Sequence, residues 1–307
     1  MAGPMTRRGM LASGLSLTAL PMLTPAAPAP ISKFGYCLNT STIRGQKLSL
    51  TEQVDLAAAS GYDAIEPWIR EIDAFVQQGG SLKDLGKRIV DRGLKCADAI
   101  GFPEWIVDDK ERRKKGFDEA KRCMDIVQQL GGHHLAAPPV GYTDRTGLNL
   151  LDAAQRYRAL CELGEAMEVT PIVELWGFSK TLNRLGETMV VASESGHRRA
   201  CVLPDIYHLF KGGSDFDGLR VLSGAAIGIF HMNDVPANLE RNKIVDADRV
   251  YPGDGVAPLK SVIQTLKASG YQGMLSLELF NPTYWKQDAR LVAETGLRKL
   301  KAVVEAA

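Results

Sequence analysis

The sequence predicts an α/β fold, one (β/α)8 barrel preceded by a cleavable export signal, and three observations carry that reading. Short β-rich runs alternate with longer amphipathic runs from Ile31 to the C-terminus, the pattern of a parallel sheet with crossover helices. Gly-containing breaks, Gly61-Tyr62, Gly93-Leu94, Gly131-Gly132 and Gly270-Tyr271, stand where a helix turns back into a strand. Four successive apolar runs in the second half each end on an acid or an imidazole: Glu174, Asp205, His231 and Glu278. Burying an unpaired carboxylate costs several kcal/mol or more, so such residues need a partner. In a closed parallel barrel all four side chains meet at the C-terminal mouth, where barrels of this kind place their chemistry.

The first element lies outside the barrel. Thr6-Arg7-Arg8 leads into an apolar stretch to Leu23 and an Ala- and Pro-rich tail over Thr24–Pro30. Charged head, short apolar middle and small-residue tail read as an export signal over residues 1–30. The Arg pair points to the twin-arginine route and a periplasmic or secreted product. The apolar stretch is shorter than the ~20 residues that span a bilayer, and Pro21 interrupts it, so no stable membrane anchor is expected. Residues 31–307 then form the barrel, a fold of roughly 250 residues.

The strand candidates are Phe34–Leu38, Ala64–Glu66, Lys95–Ala99, His134–Ala137, Pro171–Glu174, Cys201–Leu203, Ile227–His231 and Met274–Glu278. Between them, Ser49–Ser60 reads as a helix opened by a Ser49/Glu52 capping box, with Leu50, Val54, Ala57 and Ala58 on one apolar face. Further helix patterns cover Ser81–Arg92, Asp109–Leu130, Leu150–Met167, Glu187–Ser195, Pro258–Ser269 and Asp288–Ala306, with a weaker one at Asp217–Leu222.

Net charge is +1, with acids and bases interleaved. Nucleic-acid and membrane-surface proteins need a basic stripe, which this chain lacks. Five cysteines, Cys37, Cys96, Cys123, Cys161 and Cys201, are odd in number and dispersed, so they are no disulfide framework. Cys37, Cys96 and Cys201 fall in apolar runs and read as core residues. No glycine-rich dinucleotide or phosphate loop follows any strand.

Three carboxylates and one imidazole suit a single divalent cation. Oxygen-rich ligation with one nitrogen favours Mn²⁺, Mg²⁺ or Co²⁺, Mn²⁺ first, with Zn²⁺ open. Alternatively, each residue is an ordinary strand-end polar group bonded to loop backbone. His208, three residues after Asp205 on an expected loop, is a candidate for bonding a substrate oxygen. His133, His134 and His197 read as structural or surface residues. Trp68, Trp105, Trp176, Phe280 and Trp285 lie at or beyond strand ends, where rings cover sugar faces or cap the barrel. Trp105, Glu66 at the end of strand two, and Arg249 after strand seven are further substrate-binding candidates.

The set Glu174, Asp205-x-x-His208, His231 and Glu278 resembles the xylose-isomerase-like barrel superfamily of sugar isomerases and epimerases. His231-Met-Asn-Asp234, Asp248-Arg-Val-Tyr-Pro-Gly-Asp-Gly255 and Ser276-Leu-Glu-Leu-Phe-Asn-Pro-Thr-Tyr-Trp285 are most similar to inosose (2-keto-myo-inositol) isomerases. The likeness is strong over Glu174–Trp285 and architectural before it. It implies that Glu174, Asp205, His231 and Glu278 hold one cation, and that Glu174 and Glu278 also move protons. Ala237 stands where the ketohexose 3-epimerase branch carries Arg, whereas Arg249 fits the inosose branch.

The implied chemistry is an enediolate, formed when the carbon beside a ketone loses its proton to one carboxylate. Return to the same carbon epimerises, and return to the former carbonyl carbon isomerises. A β-substituent that leaves instead gives a lyase, such as one splitting 3-keto-glycosides. A non-catalytic periplasmic sugar-binding module is the non-enzyme alternative. The partner in every case is a small carbohydrate or polyol, not a nucleic acid.

Overall fold

The computed structural model describes Met1, Gly3 and residues 34–307. The export signal expected over residues 1–30 therefore lies outside the described residues, those two aside. Eight strands run in one direction: β1 (Gly35–Asn39), β2 (Ala64–Glu66), β3 (Lys95–Cys96), β4 (His134–Ala137), β5 (Thr170–Glu174), β6 (Val202–Leu203), β7 (Phe230–Met232) and β8 (Met274–Leu277). Parallel pairing orders them β3-β2-β1-β8-β7 and β4-β5-β6. The two arcs meet at two seams. Ala136 N donates to Ala99 O across the β3/β4 seam (3.1 Å), and His231 N donates to Pro204 O across the β6/β7 seam (2.9 Å). The result is a closed α/β barrel.

Residues alternate along each strand between the barrel interior and the helix layer. Cys37, Ala64, Ala97, Ala136, Ile172, Cys201, Leu203 and Ile229 pack inside the ring, and their neighbours Leu38, Ile65, Cys96, Leu135 and Val173 pack outward. All five cysteines are free and buried. Burial raises each thiol's pKa, as expected of core residues rather than reactive ones.

The helices are α1 (Leu50–Ala59), α2 (Ile69–Gln77), α3 (Leu82–Asp91), α4 (Lys110–Gln129), α5 (Leu150–Ala166), α6 (Leu185–Glu194), α7 (Ile206–Gly212), α8 (Leu259–Ala268) and α9 (Ala289–Glu305). The expected capping box opens α1: Glu52 N donates to Ser49 Oγ (3.3 Å) and Ser49 N to Glu52 Oε2 (2.7 Å). Asp217–Leu222 is a 3-10 turn, Phe216–Val221. Two short helices were not anticipated, α2 and α7, and α7 takes the place of the loop expected to carry His208. Among the described residues no helix is long and apolar enough to cross a membrane.

Candidate functional site

Strand ends and one helix cap position the site. Glu174 is the last residue of β5, His231 the middle of β7, and Glu278 follows β8 directly. Asp205 is the N-cap of α7, accepting the His208 N–H at 3.0 Å, and it bridges to His231 across the β6/β7 seam. Asp234 and Gly255 shape the loop that carries Arg249. The Asp234 carboxylate accepts the N–H groups of Val235, Gly253, Gly255 and Ala257 at 2.8–3.1 Å. A Cβ on Gly255 would fall 2.2 Å from the Val235 carbonyl oxygen, so only glycine fits there.

Asp205, His231 and Glu278 form a compact trio, each offering a ligand atom within 4.8 Å of the others. All are buried. His231 Nδ1 lies 3.1 Å from Glu278 Oε2 and 3.5 Å from Asp205 Oδ2, yet makes no hydrogen bond. Its other nitrogen, Nε2, bonds Glu66 Oε1 at 2.8 Å. A carboxylate on the far ring nitrogen is how a metal-binding histidine is commonly oriented. An orphaned buried Nδ1 between two carboxylates thus fits a divalent cation, with oxygen donors outnumbering nitrogen. Burial alone would lower the His231 pKa, but Glu66, Glu278 and Asp205 outweigh it and raise it well above the usual imidazole value. A cation would satisfy the same carboxylates that this positive charge does.

Glu174 stands apart from the trio, where four ligands were expected together. Burial, reinforced by the like charges of Glu278 and Asp205, pushes its carboxyl well above the usual range. Glu174 faces His208, with Oε1 3.9 Å from Nε2.

Glu174, Glu278, His208 and Arg249 share one cavity of about 250 Å³, walled by Trp68, Trp176 and Phe280 and by two residues not singled out from the sequence, Phe102 and Phe178. Burial drives His208 down to about 4, so the ring is neutral. Gly177 N–H donates to its Nδ1 (3.2 Å), which leaves the proton on Nε2, facing Glu174. Arg249 Nη2 is 3.3 Å from that same Nε2; with this tautomer both atoms are donors, so the contact is close packing. Arg249 Nη1 is shared by Asp205 Oδ2 and Glu278 Oε2, both at 2.8 Å, and Nη2 donates to Asp246 at 2.5 Å. Burial would raise the Asp205 pKa, but Arg249 and His231 hold it well below the usual range. Arg249 Nε is left without a partner.

Two expected substrate contacts are placed elsewhere. Glu66 is fully buried beneath the site, accepting from Asn39 Nδ2 (2.8 Å) and Ser276 Oγ (2.5 Å) besides His231. Burial would raise its pKa, but those partners outweigh it and keep the carboxylate ionised. It holds His231 rather than lining the cavity. Trp105 is fully buried, its Nε1 donating to the Ala137 and Pro138 carbonyls, so it closes the core beside β4. Trp285 donates to Ser41 O and ties the segments after β1 and β8. His134 bonds Ala97 O and His197 bonds Glu165, both structural contacts.

Three supporting residues escaped notice in the sequence. Asn39 joins Glu66 to Glu278 (3.2 Å to Oε1), and Asn233 Nδ2 donates to both Asp205 oxygens (3.2 and 3.3 Å). Asp98 is fully buried, neither oxygen has a partner, and burial with Glu66 nearby pushes its pKa well up. Asn39 ends β1 in register with Glu66 at the end of β2, and that strand-end position is the signal that marks it.

The comparisons agree with this architecture. An inosose isomerase of Bacillus velezensis is 26% identical over 274 residues, 87% of this chain and 96% of its own. A 3-dehydroshikimate dehydratase of Pseudomonas aeruginosa is 25% identical, over 82% of this chain and 39% of its own length. A fructoselysine 3-epimerase of Escherichia coli O157:H7 is 23% identical, over 84% and 95%. The crystal structure of an IolI protein with a bound zinc atom has the same fold, with a TM-score of 0.82 at 22% identity, covering 89% of this chain and 98% of that one. The sequence profile described as xylose isomerase-like TIM barrel matches residues 54–303. Profile and barrel together place the chain in the xylose isomerase-like TIM barrel family.

Proposed function

We propose that this protein is a divalent-metal-dependent isomerase or epimerase of a keto-sugar or keto-polyol, with Glu174 and Glu278 as its acid–base pair. The observation that carries the reading is two buried carboxyls, Glu174 and Glu278, facing one cavity beside the Asp205–His231–Glu278 trio. Relatives named inosose isomerase and fructoselysine 3-epimerase support it. The zinc atom of the IolI structure keeps Zn²⁺ beside Mn²⁺, Mg²⁺ and Co²⁺ as a candidate.

A divalent cation held by Asp205, His231 and Glu278 would polarise a substrate carbonyl and acidify the neighbouring C–H. The proton work falls to the protein. Glu278, ion-paired with Arg249, takes the C–H proton, and the bond's electron pair passes into the carbonyl to give an enediolate. Glu174, kept protonated by burial, supplies a proton from the cavity wall and can receive it back. His208 offers its Nε2–H to a substrate oxygen, and the aromatic wall excludes water. A second reading, elimination, rests on the dehydratase relatives. There the same electron pair expels a β-substituent, which Glu174 protonates.

Metal-loaded protein incubated in D₂O with keto-sugars, keto-inositols and 3-keto-disaccharides, followed by NMR, tests both. Deuterium at the α-carbon with a rearranged product supports isomerisation, and a split product supports elimination. No exchange with any of these substrates rejects the pair. We also propose that residues 1–30 direct export by the twin-arginine route, on the strength of Thr6-Arg7-Arg8 and the apolar and Ala/Pro-rich segments behind it.

A further inference from the structure

Two rings at the mouth of the cavity have no part in the chemistry above. Phe102, after β3, and Phe178, after β5, are 39% and 44% exposed, whereas Trp68, Glu174, His208, Arg249 and Glu278 are each 8% exposed or less. The cavity therefore opens to solvent past these two phenylalanines. Both are held in place. Phe178 stacks on Trp176 with centroids 5.2 Å apart and leans on His208 at 5.6 Å. Phe102 meets Trp68 and Trp176 edge-on at 5.5 and 5.7 Å. Aromatic rings fixed in position yet left in water mark a surface that something covers.

The cavity's size says what. Its volume of about 250 Å³ is below the ~300–1,000 Å³ of common small-molecule sites. It holds one ring, which the polar floor of Glu174, His208, Arg249 and Glu278 claims. Any group attached to that ring leaves over Phe102 and Phe178.

Resting on the keto-sugar reading, we propose that the substrate carries a second ring, a sugar or an aryl group joined to the reacting ring through a glycosidic oxygen. Phe102 and Phe178 form the outer subsite on which that ring packs. Sugar C–H faces and aryl faces share the needed chemistry, a flat apolar surface against a π-face. A free monosaccharide or cyclitol would leave both phenylalanines in water.

Calorimetry on metal-loaded protein, in a Glu174→Gln background to suppress turnover, tests the subsite. The ligands are a methyl 3-keto-glycoside, the matching 3-keto-disaccharide and the 4-nitrophenyl 3-keto-glycoside. At least one two-ring ligand should bind about tenfold tighter than the methyl glycoside, and the tighter one identifies the ring. Phe102→Ala and Phe178→Ala should bring that ratio towards one, and Phe178→Trp should restore it. Equal affinities, or a ratio untouched by both alanine variants, overturn the subsite. The readout is binding, so a failure of the isomerase reading, seen as no exchange in D₂O, is distinguishable from a failure of this one.

Discussion

At the scale of single residues, the site is a set of buried charges that hold one another in place. The types and strand-end positions of Glu174, Asp205, His231 and Glu278 were legible in the sequence because a charge ending an apolar run is conspicuous. The job of Glu66 was not. It reaches His231 across two intervening strands, β1 and β8, and no local pattern reports a contact across a barrel. Glu66→Gln should weaken metal binding about 10- to 100-fold, the usual effect of losing such a partner. His231→Ala should abolish most of it, read by metal analysis after dialysis. His208 predicts a pH effect. Its folded pKa of about 4 lies below the ordinary 6.5, so between these values the unfolded chain binds more protons. Stability is therefore lost as pH falls from 6.5 towards 4, by on the order of 3 kcal/mol in full. Glu174, shifted upward, slopes the other way. The difference between wild type and His208→Gln in urea unfolding at pH 7 and pH 4.5 isolates the histidine, and parallel curves would reject the assignment.

At the scale of elements, the helices whose ends carry chemical marks were legible. Ser49 and Glu52 announce α1, and glycine breaks such as Gly61 announce the strands that follow. The helices α2 and α7 were not, because each is under three turns and starts inside a strand-end motif already read for its chemistry. Asp205 shows the cost of that reading, since it serves as a ligand candidate and as the cap of α7 at once. Asparagine caps a helix as well as aspartate does, but it brings no charge. Asp205→Asn should thus lose metal like Asp205→Ala while remaining about 1 kcal/mol more stable, measured by denaturant unfolding of both metal-free variants. The N-terminal element has its own test. Replacing Arg7 and Arg8 by Lys should trap precursor inside the cell, and cleaved protein still found outside the inner membrane would refute twin-arginine export.

At the scale of the whole molecule, the two seams of the barrel wall matter most. The sheet is well paired within each arc, but the β6/β7 seam rests on a few bonds, among them His231 N to Pro204 O and Gly228 N to Val202 O. Asp205 and His231 face each other across that gap. A cation bound by both would act as a clasp, joining two lips of a slit that the backbone alone fastens lightly. Wall opening and ion release then become one motion. The Gly228 and His231 amides should exchange with deuterium markedly more slowly once metal is added, while amides between β1 and β2 change little. An ion that leaves unzips its own container, so a chelator should weaken the barrel first along this line rather than at its ends.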